Sequence, residues 1–365
     1  MPTILALQSG NKSIKYDQFA ISEKNSELAP ASQGFIEVSD DYEEAIKRLL
    51  RTVGDLSDIR AVAHKLAYGG DLFKKPVLIN SQVLRELEET ETFLNSYGLA
   101  GVKAISSFLP DLKQVAVFDT AFYSGLPEFA KLYALPVEIS EKYKLYRYGS
   151  NGIAHEQALI KTAESLGKDP KKINIISCFL DEDWSVTAIR KGMAIDTSMG
   201  NTVMEGLPMM NRCGDIDPGI IFKLFRYYKE EFEQELSSEQ DQTAKIIEMV
   251  RDLLSNRSGI KGVARINEYQ ELIKGVSLGS LKKTLAFDIA CYRLVKYIGG
   301  YWAALDGQVD AIALSGAMGS GNNLIKNYLI KKFKYLKDTE ILSIEPDDGS
   351  LMAKKAWEII KDKRP

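Results

Sequence analysis

The chain carries a similar order of buried strands and turns twice, and this repetition constrains its fold more than any other feature. In the first half, an apolar run at 3–7 leads into a polar glycine turn at 8–13 and a second strand pattern. In the second half, an apolar run at 173–179 leads through a short turn into a hairpin pattern at 184–195. Helical and buried-strand patterns follow in both halves, as is typical of α/β domains. The sequence therefore predicts two α/β domains of similar topology with a cleft between them.

The composition indicates a globular protein without a nucleic-acid or membrane partner. The chain has 365 residues, which is long enough for two domains of ordinary size. Its formal net charge of −3 gives no general attraction to nucleic acid or to anionic lipid. No apolar run approaches the ~20 residues that a membrane span needs. The cysteines Cys178, Cys213 and Cys291 are isolated in sequence, which predicts a cytoplasmic protein without disulfides.

Polar residues stand near the ends of two buried strand patterns in the first half. His64 and Lys65 lie near the carboxyl end of the pattern at 61–66, where α/β sheets bind ligands. Asp119 comes directly after the pattern at 114–118. Asp119 is therefore a candidate site acid, and an N-cap role for Asp119 or Thr120 is the plain alternative.

Two glycine turns have the context of a phosphate site. The strand pattern at 310–314 runs into a glycine-rich loop at 315–323 and then a helix, an order that can place a phosphate on backbone N–H groups. A simple tight turn is the alternative there. The turn at 8–13 could present Lys12 and N–H groups to a phosphate, or it could be an ordinary hairpin.

The stretch at 196–218 fits neither a strand nor a helix and predicts an ordered loop. Interleaved apolar residues indicate that the loop is packed down, so its single arginine, Arg212, needs an anionic partner. That partner is either a structural acid, with Asp215 and Asp217 the nearest in sequence, or a bound ligand.

Several of these segments resemble one known family. The matching motifs are VFDTAF at 117–122, RYG at 147–149, DTSMG at 196–200 and GDIDP at 214–218, with Ser315, Gly316 and Gly319 extending the match. They resemble the acetate kinases and their propionate and butyrate kinase relatives, in the superfamily of actin, hexokinase and Hsp70. The resemblance implies two actin/hexokinase-like (ribonuclease H-like) α/β domains. We expect the first at 1–121 with 350–365 and the second at 122–349.

The resemblance also implies an activity. Enzymes of this family phosphorylate a short-chain carboxylate with ATP and Mg²⁺ to form an acyl phosphate, and the reaction is reversible. The expected ligands are thus a small carboxylate, a nucleotide and a magnesium ion. The resemblance further implies a homodimer.

Site residues follow from the same resemblance, position by position. The implied catalytic residues are Asp119, Arg212, Lys65 and Asn151. The implied nucleotide-binding residues are Gly316, Gly319, Glu268, Gln270, Asp181 and Asp183. The implied carboxylate-binding residues are Phe93, Val203 and Leu66. The implied metal ligands are Asp348 and Gln8.

The chain departs from the family pattern at positions that the family uses for catalysis and for binding phosphate. Lys65 stands where the family has an arginine, and Asn151 stands where it has a histidine. The family's Gly-Asn-Gly phosphate loop is Asp181-Glu182-Asp183 here. A carboxylate about 4 Å from a phosphate charge would repel it by ~4 kcal/mol at an effective dielectric constant near 20. Three hypotheses follow: an active carboxylate kinase, a non-catalytic relative that binds a metabolite or partner, and a kinase with another donor such as pyrophosphate.

Overall fold

A computed structural model of the protein describes residues 1–22, 27–39, 41–90, 93–232, 239–334 and 339–361, with backbone only at 93, 232 and 239–241. The chain divides into two compact units. The first comprises 1–125, 150–157 and 346–365, and the second comprises 126–149 and 158–345. The domain boundaries expected from sequence differ from these units at 122–125, 150–157 and 346–349 and remain a prediction.

The described strands are, in chain order, β1 (Thr3–Ser9), β2 (Ser13–Ile21), β3 (Leu28–Glu37), β4 (Ile59–Leu66), β5 (Val77–Leu78), β6 (Lys113–Phe118), β7 (Asn174–Leu180), β8 (Trp184–Arg190), β9 (Met193–Thr197), β10 (Ala311–Ser315) and β11 (Glu340–Ser343).

The described α-helices are α1 (Tyr42–Thr52), α2 (Ser81–Glu89), α3 (Ser96–Phe108), α4 (Glu128–Lys131), α5 (Val137–Tyr143), α6 (Gly152–Leu166), α7 (Pro218–Phe232), α8 (Glu239–Asn256), α9 (Gly259–Ala264), α10 (Tyr269–Ser277), α11 (Leu281–Ala304), α12 (Asn323–Lys332) and α13 (Asp348–Lys361). Short 3-10 helices lie at Leu56–Asp58, Phe93–Asn95, Asp119–Tyr123 and Pro170–Lys172.

The two sheets have matching topology, which confirms the repetition expected from the sequence. The first sheet has the order β3-β2-β1-β4-β6-β5, and the second has the order β11-β10-β7-β8-β9. In each, an antiparallel meander of three strands is followed by two strands that run parallel to the first strand of the meander. The first sheet has one more edge strand, β5, which is antiparallel to β6. The α/β class with two actin/hexokinase-like units is therefore confirmed.

Each unit has its own apolar core, because its helices bury one stripe against a sheet. On α1, the buried residues Ala45, Ile46, Leu49 and Leu50 recur at helical spacing, and Asp41 caps the helix by accepting a hydrogen bond from the Glu43 N–H. The 24-residue helix α11 buries Ala286, Ala290, Leu294 and Ile298 among other residues in the second core.

In the first unit, polar side chains lie together where the parallel strands end. Strands β1, β4 and β6 run in the same direction, so their carboxyl ends meet at one edge of the sheet. Lys65 lies next to the last residue of β4 and pairs with Val117 of β6, while Asp119 follows β6 directly. No helix within the described residues is long and apolar enough to cross a membrane.

Candidate active site

Three of the residues singled out from sequence converge in the first unit. The Nζ atom of Lys65 lies 3.5 Å from Oδ2 of Asp119 and 3.3 Å from Oδ2 of Asp348. The two strand ends supply Lys65 and Asp119, and the first residue of α13 supplies Asp348. A lysine ammonium is thus held between two carboxylates. Lys65 and Asp348 are 283 positions apart in the sequence, so the fold assembles this cluster from distant segments of the chain.

Asp119 is fixed at the N-terminus of helix α6. Its Oδ1 atom accepts a hydrogen bond of 3.1 Å from the backbone N–H of Ile153. Gly152 is required there, because a Cβ atom at this position would overlap the backbone carbonyl oxygen of Asp119. Asp119 does not cap the 3-10 helix that follows it, since Phe118 is the cap residue there, and its carboxylate instead caps α6. The Asp119 carboxylate is therefore directed to the helix terminus, whose partial positive charge favours an anion.

Burial and neighbouring charges shift the pKa values of the cluster residues in opposite directions. Burial raises the pKa of Asp119 above its ordinary value, and the nearby ammonium of Lys65 only partly offsets this effect. Burial alone would lower the pKa of Lys65, but Asp119 and Asp348 together raise it, so the lysine stays charged. Burial lowers the pKa of His155 to about 3 and that of His64 to about 4. With both histidines neutral, one cation faces two carboxylates.

The two side chains implied as metal ligands, Asp348 and Gln8, carry oxygen atoms of the kind that magnesium binds. Oδ1 of Asp348 and Nε2 of Gln8 are buried and have no hydrogen-bond partner among the described residues. Turning the Gln8 amide would put its carbonyl oxygen in the position of the nitrogen. Mg²⁺ is commonly held by one or two carboxylates and keeps several waters. The described residues contain no group of three or more His, Cys, Asp or Glu side chains that could form a complete metal site.

Asp17 is a buried acid beside this cluster that the sequence patterns did not indicate. It lies on β2, and its Oδ2 atom has no hydrogen-bond partner among the described residues. Burial raises its pKa, Lys15 opposes the rise, and Asp347 adds to it. Gly349 at the start of α13 makes room for the acid, since a Cβ atom there would lie 2.5 Å from its Oδ2 atom. The available signal was an acid inside the strand pattern that follows the turn at 8–13.

Asn151 occupies a strained position in the same unit. Its φ angle is +56°, a left-handed value that asparagine tolerates better than most residues. The residue is buried, and its carbonyl oxygen accepts the His155 N–H in the first turn of α6.

In the second unit, Arg212 has a partner that the sequence did not indicate. Its Nη1 atom forms an ion pair with Oδ1 of Asp183. The alternative of a structural acid partner is thus observed, but the acid is not Asp215 or Asp217, because both of these are engaged elsewhere. Asp215 accepts hydrogen bonds from the Gly206 N–H and the Tyr297 hydroxyl, and Asp217 accepts one from a backbone N–H at the start of α7.

The glycine loop of the second unit is docked on the end of β7. Gly316 has a φ angle of +82°, and a Cβ atom there would lie 2.5 Å from the Leu180 carbonyl oxygen. The N–H groups of Met318, Gly319 and Ser320 donate to backbone carbonyl oxygens at 2.9 to 3.0 Å. The Ala317 N–H donates to Oδ2 of Asp181 at 3.5 Å. These four N–H groups therefore have acceptors within the unit.

The remaining nucleotide-side candidates lie at the start of α10. Glu268 is the cap residue of this helix, Gln270 follows two residues later, and both are exposed. Burial raises the pKa of Tyr269 between them, and the charges of Asp181 and Asp183 raise it further. The acidic turn therefore lies near this segment.

The expected carboxylate-binding residues have separate surroundings. Leu66 is fully buried and packs in a core cluster of the first unit. Val203 is partly buried against the core of the second unit. The side chain of Phe93 lies outside the described part of the structure. A role for these three residues in binding the carboxylate remains a prediction.

A polar network anchors the beginning of the loop at 196–218. Arg147 forms a 2.7 Å ion pair with Glu205 and donates to the Thr197 carbonyl oxygen at 3.0 Å. Tyr133 donates a hydrogen bond to the same Glu205 carboxylate. The RYG motif includes Arg147, but its pairing with Glu205 was not expected from the sequence. This network supports the loop that carries Arg212.

Comparison with solved structures shows which class of proteins shares this fold. The structure matches the crystal structure of Porphyromonas gingivalis acetate kinase with a TM-score of 0.82 and 25% identity, covering 99% of this chain and 100% of that one. It matches a propionate kinase from Francisella tularensis with a TM-score of 0.82 and 26% identity, covering 97% and 99% of the two chains. The fold is thus that of the acetate and propionate kinases.

Comparison with related sequences shows the family to which the chain belongs. A curated acetate kinase from Campylobacter jejuni is 33% identical over 360 residues, covering 91% of this chain and 87% of the relative. An acetate kinase from Carboxydothermus hydrogenoformans is 35% identical over 300 residues, covering 81% and 71%. The sequence model of the acetokinase family matches residues 13–354. The chain belongs to the acetokinase family.

Proposed function

We propose that the protein is a kinase of short-chain carboxylates, which transfers a phosphoryl group from ATP to acetate or a close homologue and forms an acyl phosphate. Membership of the acetokinase family supports this activity. The observation that carries the proposal is the buried Lys65–Asp119–Asp348 cluster at the carboxyl edge of parallel strands. It offers a fixed cation and two fixed anions, which suits a reaction that depends on positioning and charge.

The residues of the first unit hold charge in place. The carboxylate substrate is already ionised, so the attack on phosphorus requires no general base. We therefore assign Asp119 the task of orienting the Lys65 ammonium, which faces the oxygens of the transferring phosphoryl group. Asn151 supplies an amide donor to the same group. Asp119 also keeps the position of the α6 N-terminus through the Ile153 N–H.

Magnesium would be held by Asp348 and Gln8, whose buried unpartnered atoms are available for it. When bound, the ion neutralises phosphate charge during the transfer. Asp348 in turn keeps Lys65 in place through its other oxygen, at 3.3 Å.

The second unit supplies groups for the nucleotide. Arg212 has a forked guanidinium that suits phosphoryl oxygens, and a lysine would lack this fork. We assign Gly316 and Gly319 to the donor phosphates, and Glu268 and Gln270 to the adenosine portion, as the family resemblance implies. The Asp181 and Asp183 carboxylates in this region are unfavourable for a phosphate.

The substrate pocket, the assembly and the location follow from the family. Phe93, Val203 and Leu66 are the proposed apolar contacts of a short acyl chain. We propose a homodimer, and a cytoplasmic location that agrees with the free thiols of Cys178, Cys213 and Cys291.

A donor and acceptor screen tests the proposal. The wild-type protein is incubated with Mg²⁺, ATP or pyrophosphate, and acetate, propionate or butyrate, and the acyl phosphate is trapped as its hydroxamate. We expect turnover with at least one acid, and a loss of about 10² to 10³-fold in kcat for Arg212→Ala, as for other groups that stabilise transition-state charge. Absence of turnover above the Arg212→Ala background with every pair of substrates would contradict the proposed function.

A further inference from the structure

We infer that Asp183, assisted by Asp181, determines how tightly the protein binds its phosphoryl donor, because these carboxylates occupy the groups that would receive the donor phosphates. The inference rests on the proposed function. It concerns the affinity for the donor and can be tested by binding alone.

The first observation is the ion pair between Asp183 and Arg212. Arg212 is the guanidinium assigned to the phosphoryl group, and in this structure its Nη1 atom contacts a carboxylate of the same unit. The two side chains, Arg212 and Asp183, are 26% and 32% exposed, so the pair is open to solvent and to competing anions. Ion pairs of this exposure are weak. A donor phosphate can therefore take the place of Asp183, but it must displace it first.

The second observation concerns the glycine loop. Asp181 directs its Oδ2 atom to the Ala317 N–H at 3.5 Å and accepts the Glu182 N–H with Oδ1 at 3.0 Å. A backbone N–H at the start of such a loop is a typical ligand of phosphate. Asp181 therefore places a negative charge on the loop that was expected to bind phosphates.

The turn that carries both acids is held firmly in position. The Asp181 N–H donates to the Asp183 carbonyl oxygen at 3.0 Å, and the flanking residues Leu180 and Trp184 pair across β7 and β8. Burial raises the pKa of Tyr269, and the charges of this turn raise it further; Tyr269 lies beside the nucleotide-side residues of α10. The acids thus lie close to Arg212, to the glycine loop and to the start of α10, all within one unit.

A carboxylate in these positions resembles a phosphate oxygen in charge and in its hydrogen-bond acceptors. It satisfies the arginine and the loop when the donor is absent, and it repels a donor that carries several charges. Removing the Asp183 charge frees Arg212 and removes the repulsion together. Its effect on donor affinity should exceed that of Asp181, whose contact is longer.

The test is calorimetric titration of full-length protein with a non-hydrolysable ATP analogue at fixed Mg²⁺. We expect Asp183→Asn to lower Kd at least tenfold and Asp181→Asn to lower it about threefold. Glu182→Gln is the matched control, because it removes one negative charge from the same turn and its side chain is exposed. Its Kd should stay within twofold of the wild type. Asp183→Ser gives a second variant, and thermal unfolding verifies that each protein is folded.

The role of Arg212 is tested by combining substitutions. In an Arg212→Ala background, Asp183→Asn should give less than a threefold gain, since the freed guanidinium is missing. The inference is overturned if Asp183→Asn leaves Kd unchanged, weakens binding as a metal ligand would, or keeps its full gain without Arg212.

The same experiments separate the inference from the proposed function. If no variant makes an acyl phosphate but Asp183→Asn still tightens binding, the proposed function fails and the inference stands. If the wild type turns over substrate but Asp183→Asn has an unchanged Kd, the proposed function stands and the inference fails.

Discussion

The Lys65 cluster of the first unit and the Arg212–Asp183 pair of the second handle charge in opposite ways. In the first, one ammonium faces two carboxylates whose side chains are only 3% and 9% exposed. In the second, one guanidinium faces one carboxylate, and both are about a third exposed or less. The first cluster thus keeps an excess negative charge that suits a metal ion. The second is a neutral pair at a place where an anion is expected.

The difference shows which of the two contacts can exchange with a ligand. Separating Lys65 from its acids would leave buried carboxylates without a counter-ion, which is costly. Separating Arg212 from Asp183 returns both groups to partial contact with water, which costs little. We therefore expect the first cluster to act as a fixed framework and the second pair to open when the donor binds.

Replacing the two cations by the same residue provides the strongest test of this comparison. Lys65→Met leaves Asp119 and Asp348 uncompensated and should destabilise the protein by about 3 kcal/mol. Arg212→Met should cost about 1 kcal/mol or less, because its partner is partly hydrated. Urea unfolding of both variants at pH 7 measures the difference. Lys65→Arg keeps the charge and serves as the control, and equal losses for the two methionine variants would refute the distinction between fixed and exchangeable contacts.

Two glycines of the second unit test how tightly its glycine loop is docked. Gly316→Ala must adopt a left-handed φ angle and also meets the Leu180 carbonyl oxygen, so it should lose about 2 kcal/mol of stability. Gly167 has a left-handed φ angle of +61° with no atom within 4 Å of an added Cβ. Gly167→Ala should therefore lose only about 1 kcal/mol. Thermal unfolding measures the stability of the two variants. If Gly316→Ala loses no more stability than Gly167→Ala, the loop is not tightly docked.

The sequence predicted the parts of this structure that depend on local pattern. Buried strands such as β4 and β6 appear as apolar runs, so the convergence of Lys65 and Asp119 at one sheet edge could be expected. Strand β3 could not be predicted, because most of its side chains are exposed. The partner of Arg212 could not be predicted either, since Asp183 lies 29 residues away and the acids adjacent in sequence bind elsewhere. The choice among several acids is made by tertiary packing, which no short pattern contains.

The smallest expected effect concerns the pH dependence of the buried cluster. The pKa of Asp119 is raised above its ordinary value of 3.8, so the folded protein binds this proton more tightly than the unfolded chain does. Ionised Asp119 therefore lowers stability at neutral pH, and this loss disappears as the pH falls through the raised pKa. Asp119→Asn keeps an oxygen for the Ile153 N–H but has no charge to bury.

The stability of Asp119→Asn relative to the wild type should therefore be greatest near pH 7 and should decrease as the pH is lowered toward about 4. Thermal unfolding of both proteins across this range gives the difference at each pH. The exposed acid Asp111 provides the control, because Asp111→Asn should show no comparable trend. A difference that stays constant, or that grows in acid, would mean that Lys65 fully compensates the burial of Asp119. Burial would then impose no net cost on the Asp119 carboxylate, and the first region would differ from the Arg212–Asp183 pair in its exposure to solvent alone.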